Sequence, residues 1–244
     1  MTYCVGLKLN RGLVFMSDTR TNSGVDNIST FRKMFHFDVA GDRSITLMTA
    51  GNLATTQAVI SLLEERSKEP GARNPGIYQC ESMFQVATLV GETLKEVIAT
   101  HSEEGQKADA AFGATIILGG QVGEGEPRLF LVYPEGNFIE ASEDTAYFQI
   151  GETKYGRPIL VRAFNPDMSF EDAVKLLLVS FDSTIKANLS VSLPLDLHVY
   201  EAGSLTRGRV LRIAEGDPYF EEISSGWGVA LRNAFAGLPD FRFP

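Results

Sequence analysis

The order of segments along the chain predicts an α+β fold, with antiparallel sheets covered by helices. Strand-like runs and helix-like runs come in groups: strands, two helices, strands, a helix, strands. Alternating βαβ units would read differently. Most strand-like runs are joined by short turns or by Gly-rich and acidic turns, which suits antiparallel neighbours. The helical runs carry apolar residues on one side only. At 244 residues and 44% hydrophobic content, one domain can hold a substantial core.

Residues 2–9 and 11–17 read as two strands around a tight turn at Asn10-Arg11-Gly12. Leu13-Val14-Phe15-Met16 is continuously apolar, as in a strand buried on both faces. A polar loop is expected from Thr21 to Thr30. Residues 33–37 and 45–49 form a second strand pair around Ala40-Gly41-Asp42. Gly51 introduces a helix over 53–67, with Ala58, Ile60, Leu62 and Leu63 on its apolar side. A Pro/Gly/Asn loop follows over 68–79. A second helix over 81–101 is spaced by Phe84, Ala87, Val90, Leu94, Val97 and Ile98. Strands are expected near 111–118, 128–133, 138–140 and 146–150. A third helix begins at Ser169, where Asp172 makes a shortened capping box, and runs to about Asn188. Strands at 195–200 and 210–213 complete a domain over 2–213. The aromatic, Gly/Pro-rich extension 214–244 packs on its own subunit or on a neighbour.

Composition narrows the function classes. Lys and Arg total 22 against 31 Asp and Glu, a net charge of −9, which disfavours a nucleic-acid footprint. Cys4 and Cys80 are too few for a disulfide framework and show no metal spacing. Without a leader-like start or an apolar run of membrane length, a cytoplasmic protein with no membrane contact is expected. His36, His101 and His198 sit on different elements with no Ser or Cys motif beside them. No metal and no cofactor is called for. The run Gly119 to Gly125 reads as a hairpin loop and lacks the Lys-Ser/Thr ending of a phosphate loop. Glu103-Glu104 reads as a solvated face.

Thr2 directly follows Met1. Its small side chain permits removal of the initiator, leaving a threonine with a hydroxyl and a free α-amine. That pair is a recognised nucleophile and base, and the amine titrates near about 8. Asp18 ends the strand that folds back beside the first, so it can lie near the start of the chain. Lys33 begins the next strand. A lysine held by an aspartate can stabilise the oxyanion form of the nucleophile and tune the amine. Gly51, between a strand and a helix, offers a backbone N–H near a helix N-terminus, suited to an oxyanion donor.

Thr2, Ser17-Asp18-Thr19-Arg20, Phe31-Arg32-Lys33 and Ala50-Gly51-Asn52 together resemble the motifs of proteasome β-type subunits, which are N-terminal-nucleophile (Ntn) hydrolases. The likeness runs through residues 2–213. The Met-Thr start, the phrase Gly51-Asn52-Leu53-Ala54-Thr55-Thr56-Gln57 and the C-terminal extension are most similar to the bacterial ancestral β-subunit (Anbu) branch. The resemblance implies a four-layer αββα sandwich and self-assembly into rings or helical oligomers. It also implies Thr2 as nucleophile, Lys33 as electrostatic tuner, Asp18 as its partner and Gly51 as oxyanion donor. Thr21, Phe31, Thr49 and Leu53 would line the pocket for the residue before the cut bond, where Phe31 and Leu53 favour an apolar side chain. Peptide or related amide bonds would be the substrate, and an unfoldase partner is left open.

The chain departs from that family at the residues around the amine. Glu152 stands where the family has a serine. Asn188 falls where it has an aspartate near the end of the third helix, and Val191 where it has a serine three residues later, with Ser190 adjacent; Arg20 is a further accessory candidate. Two further functions therefore stand beside a threonine peptidase: a small-amide amidohydrolase with the same nucleophile, and a ring-forming scaffold with little or no catalysis.

Overall fold

The computed structural model describes residues 2–22, 28–68, 75–103 and 112–243. Met1, residues 23–27 of the expected 21–30 loop, 69–74 of the 68–79 loop, Glu104, Ala111 and the side chain of Glu103 lie outside the described residues.

The chain opens with the hairpin β1 (Tyr3–Leu9) and β2 (Gly12–Asp18), then a short ribbon, β3 (Arg20–Asn22) and β4 (Ile28–Thr30). A second hairpin, β5 (Met34–Val39) and β6 (Arg43–Gly51), leads into α1 (Leu53–Lys68) and α2 (Met83–Glu103). Then come β7 (Ala114–Val122), β8 (Arg128–Val132), β9 (Phe138–Glu140) and β10 (Tyr147–Gly151). The remainder is α3 (Arg157–Ala163), α4 (Phe170–Ala187), β11 (Leu195–Glu201), β12 (Arg209–Ile213) and α5 (Pro218–Ala236). The strands form two five-stranded antiparallel sheets, ordered β10-β1-β2-β11-β12 and β5-β6-β7-β8-β9.

Three apolar clusters define four layers. Phe15, Met48, Ile117, Leu129 and Tyr200 fill the space between the sheets. Leu47, Val59, Val90, Leu94 and Phe130 join the second sheet to α1 and α2. Val5, Leu7, Leu160, Leu177 and Phe181 join the first sheet to α3 and α4. The molecule is thus an αββα sandwich. β2 shows why its sequence is continuously apolar. Leu13 and Phe15 point between the sheets, while Val14 and Met16 point to the helices. Side chains alternate across a strand, so a central strand needs apolar residues at both parities.

Four segments differ from the sequence expectation. The 21–30 loop is flanked by the β3–β4 ribbon, too short to show alternation. Gly119, Gly120 and Gln121 belong to β7 rather than to a loop. A Cβ on Gly119 would stand 2.7 Å from Phe15 Cζ, so that glycine makes room for a ring of the opposite sheet. α3 spans only 7 residues, too few for a periodic signal. α5 forms although Ser224, Ser225, Gly226 and Gly228 are weak helix formers. Its start is fixed by Asp217, whose side chain accepts from Phe220 N–H at 2.9 Å, and by Pro218 in the first turn. Phe220 is buried against the α4 side of the sandwich, whereas Phe235, Phe241 and Phe243 are exposed. No helix among the described residues is long and apolar enough to cross a membrane.

Candidate active site

The peptide between Thr2 and Tyr3 is gripped on both sides. The β1–β2 register, with Cys4 opposite Ser17, sets Asp18 beside Tyr3. There Tyr3 N–H donates to Asp18 Oδ1 at 2.9 Å. On the other side, β10 ends in Gly151, and Glu152 N–H donates to the Thr2 carbonyl at 2.7 Å. Gly151 has φ +82°, and a Cβ there would lie 1.9 Å from Thr2 O. Only glycine permits that approach.

Lys33, immediately before β5, donates from Nζ to the same Asp18 Oδ1 at 2.8 Å and to the Arg20 carbonyl at 2.6 Å. The ammonium therefore lies two hydrogen bonds from the Thr2–Tyr3 peptide. The pair is almost sealed from water, at 6% and 0% side-chain exposure. Burial pushes the Asp18 carboxyl upward, while the Lys33 charge, the Lys33 hydrogen bond and Tyr3 N–H oppose it. Asp18 Oδ2 and Ser17 Oγ are buried without a hydrogen-bond partner among the described residues. A native fold seldom leaves such groups unmatched.

β6 brings the oxyanion candidate to the same end of the sandwich. Thr49 N–H donates to the Lys33 carbonyl at 2.9 Å, and Gly51 follows two residues later. Gly51 is exposed and has φ +118°, with Gly113 O only 2.4 Å from where a Cβ would stand. Asn52 then caps α1, its Oδ1 accepting from Thr55 N–H at 3.1 Å. The positive end of α1 thus lies beside Gly51. Of the expected pocket residues, Thr49 is buried, Phe31 is exposed, and Thr21 and Leu53 are partly buried.

Arg20, Asn188, Ser190 and Glu152 form one connected chain of contacts. Arg20 Nη1 donates to the Leu189 carbonyl at 2.8 Å. Ser190 N–H donates to Asn188 Oδ1, and Asn188 Nδ2 donates to Glu152 Oε2, both at 2.9 Å. Glu152 is 8% exposed, and Lys154 Nζ stands 3.9 Å from its Oε1. The serine hydroxyl of Ser190 takes no part; its backbone does. Gly151 and the carbonyl of Leu189 are the contributors that residue types did not announce. The usable signal was a glycine closing a strand just ahead of a buried acid. Among the described residues no group of three or more His, Cys, Asp and Glu could hold a metal.

A family model described as proteasome subunit matches residues 2–192. The chain belongs to the proteasome subunit family. Its structural relatives place it with the Anbu-like, β-type members. The ancestral β-subunit Anbu from Yersinia bercovieri is 47% identical, with a TM-score of 0.92, covering 99% of this chain and all of that one. The Anbu complex from Pseudomonas aeruginosa, solved as a helical assembly, is 45% identical with a TM-score of 0.91, covering 99% and 98%. A more distant relative, proteasome subunit beta 2 from Pyrobaculum calidifontis, is 25% identical over 187 residues, 75% of this chain and 80% of its own length. Membership of this family carries a peptidase-type relationship.

Proposed function

We propose that the protein is a self-assembling N-terminal threonine hydrolase of peptide or related amide bonds, active in the cytoplasm after removal of Met1. One observation carries the reading. A buried lysine–aspartate pair, which is costly to keep, sits against the peptide of the second residue, and the shared Asp18 oxygen holds both. Such an arrangement stabilises the anionic form of a nearby hydroxyl.

In this mechanism the Thr2 Oγ–H gives its proton to its own α-amine as Oγ bonds to the substrate carbonyl carbon. The carbonyl oxygen becomes an anion, held by the Gly51 N–H. The ammonium then passes its proton to the leaving nitrogen and the C–N bond breaks, leaving an ester on Oγ. Water gives a proton to the amine as it adds to that ester. Oγ leaves and regains the proton. Lys33 keeps the developing charge on Oγ low in energy, and Asp18 holds Lys33 in place. Thr21, Phe31, Thr49 and Leu53 would contact the residue before the cut bond. The helical assembly of the Pseudomonas aeruginosa relative supports self-assembly.

The test is intact-mass analysis with an electrophilic probe for N-terminal threonines. Loss of Met1 and an adduct on Thr2, absent in Thr2→Ala, are expected. Lys33→Ala should lower the labelling rate by about a hundred- to a thousandfold in protein that still assembles. A retained Met1 would reject the mechanism and favour a scaffold, and full labelling in Lys33→Ala would reject the role assigned to Lys33.

A further inference from the structure

The residue that grips the Thr2 carbonyl through its backbone, Glu152, also carries a carboxylate. The carboxylate sits on Glu152, at the end of β10, and the amide on Asn188, at the end of α4. They meet at 2.9 Å. Glu152 is anchored twice: its backbone N–H holds the Thr2 carbonyl, and its carboxylate accepts from Asn188. Asn188 is fixed in turn by Ser190 N–H, and that loop by Arg20 through the Leu189 carbonyl. A charged side chain that is 8% exposed and so held has a narrow range of positions.

We propose that Glu152 is a positioning residue, held by Asn188, that serves as the counter-charge of the Thr2 α-ammonium and sets the pH range in which that amine can act as a base. The inference rests on the threonine-hydrolase reading above. An opposite charge close to an amine favours its protonated form. With Glu152 in place the amine holds its proton to higher pH, so the fraction able to accept the Oγ proton at neutral pH is smaller. Other charged groups lie on the elements packed against β1 and β10. Asp18 on β2 is neutralised by Lys33 ahead of β5. Arg20 on β3 is turned to the 188–190 loop. On α4, Asp182 pairs with Lys186 at 3.3 Å. Lys154, 75% exposed, partly offsets Glu152 from 3.9 Å.

The test reads the amine directly. Competitive acetylation of the α-amine by acetic anhydride, followed by peptide mass spectrometry across pH 5–10, gives its midpoint without reference to catalysis. Glu152→Gln keeps the acceptor for Asn188 and removes the charge. It should lower the midpoint by about one pH unit and raise probe labelling of Thr2 at pH 7 several-fold. Glu152→Asp, which retains the charge, should restore most of the original midpoint. Lys154→Gln changes an exposed residue, tolerates substitution, and should raise the midpoint by a smaller amount. It keeps the test open if Glu152→Gln fails to fold. Equal midpoints in the folded variants and the parent protein, with Met1 removed, would overturn the role of Glu152 alone. A shifted midpoint with no labelling of Thr2 would uphold Glu152 as the counter-charge and reject the hydrolase reading. Retained Met1 would overturn both.

Discussion

Between the two sheets, His198 stacks on Phe15 and meets His36 edge-on, with ring centroids 4.8 Å apart. At the end of the same sandwich, Lys33 meets Asp18. Both clusters are buried and polar, yet their chemistry differs. His198 Nε2 faces the Arg207 carbonyl, which can only accept, so that nitrogen carries the proton. Nδ1 must then accept from the Thr46 hydroxyl at 2.9 Å, and Thr46 Oγ1 is left to accept from His36 Nδ1 at 3.1 Å. The central cluster is neutral and its bonds close. The Lys33–Asp18 cluster is ionic, and it leaves Asp18 Oδ2 and Ser17 Oγ unmatched among the described residues. Fold stability selects the first kind of arrangement. The second costs stability, and groups of that kind cluster at functional sites.

The sharpest way to break this contrast is to strip the charge. Lys33→Met leaves Asp18 buried without its cation and should cost about 3–5 kcal/mol. The double variant Lys33→Met/Asp18→Asn should recover a large part of that loss in denaturant unfolding. If the double variant is no more stable than the single one, the cost is packing and not charge.

The histidine cluster predicts a smaller effect with a defined sign. Burial and the neighbouring His36 depress His198 to about 4, so the folded chain refuses a proton that the unfolded chain binds near 6.5. The contribution is whole above about 6.5 and is lost as pH falls toward 4, by up to about 3 kcal/mol. His198→Gln should flatten that part of the stability profile. An unchanged slope would mean that His198 stays charged in the fold. The smallest effect concerns the helix that supports the oxyanion candidate. Asn52→Ala should cost about 1 kcal/mol through the lost cap of α1.

Much of this is legible in the residues. Alternation and turn residues mark the β1–β2 and β5–β6 hairpins, and Ser169 with Asp172 marks the start of α4 at its observed cap. Thr2, Asp18, Lys33 and Gly51 stand out because their chemistry and spacing coincide. What was hidden depends on backbone atoms or on distant partners. The chain from Arg20 to Thr2 runs through the Leu189 carbonyl and the N–H groups of Ser190 and Glu152, which no side chain announces. His36 and His198 meet only because the two sheets stack, and nothing local foretells it. α5 escaped notice because its glycines and serines obscure the periodic face, while the cap at Asp217 is a signal of a single residue.

The most direct measurement is an experimental map of the assembled, Met1-processed protein carrying an electrophilic adduct on Thr2. If Thr2 is the nucleophile that Lys33 activates, Nζ will lie within about 3 Å of the Thr2 Oγ, with the Gly51 N–H aimed at the adduct oxygen. An ammonium turned away from Oγ, with Thr2 unmodified after exposure to the probe, would contradict it.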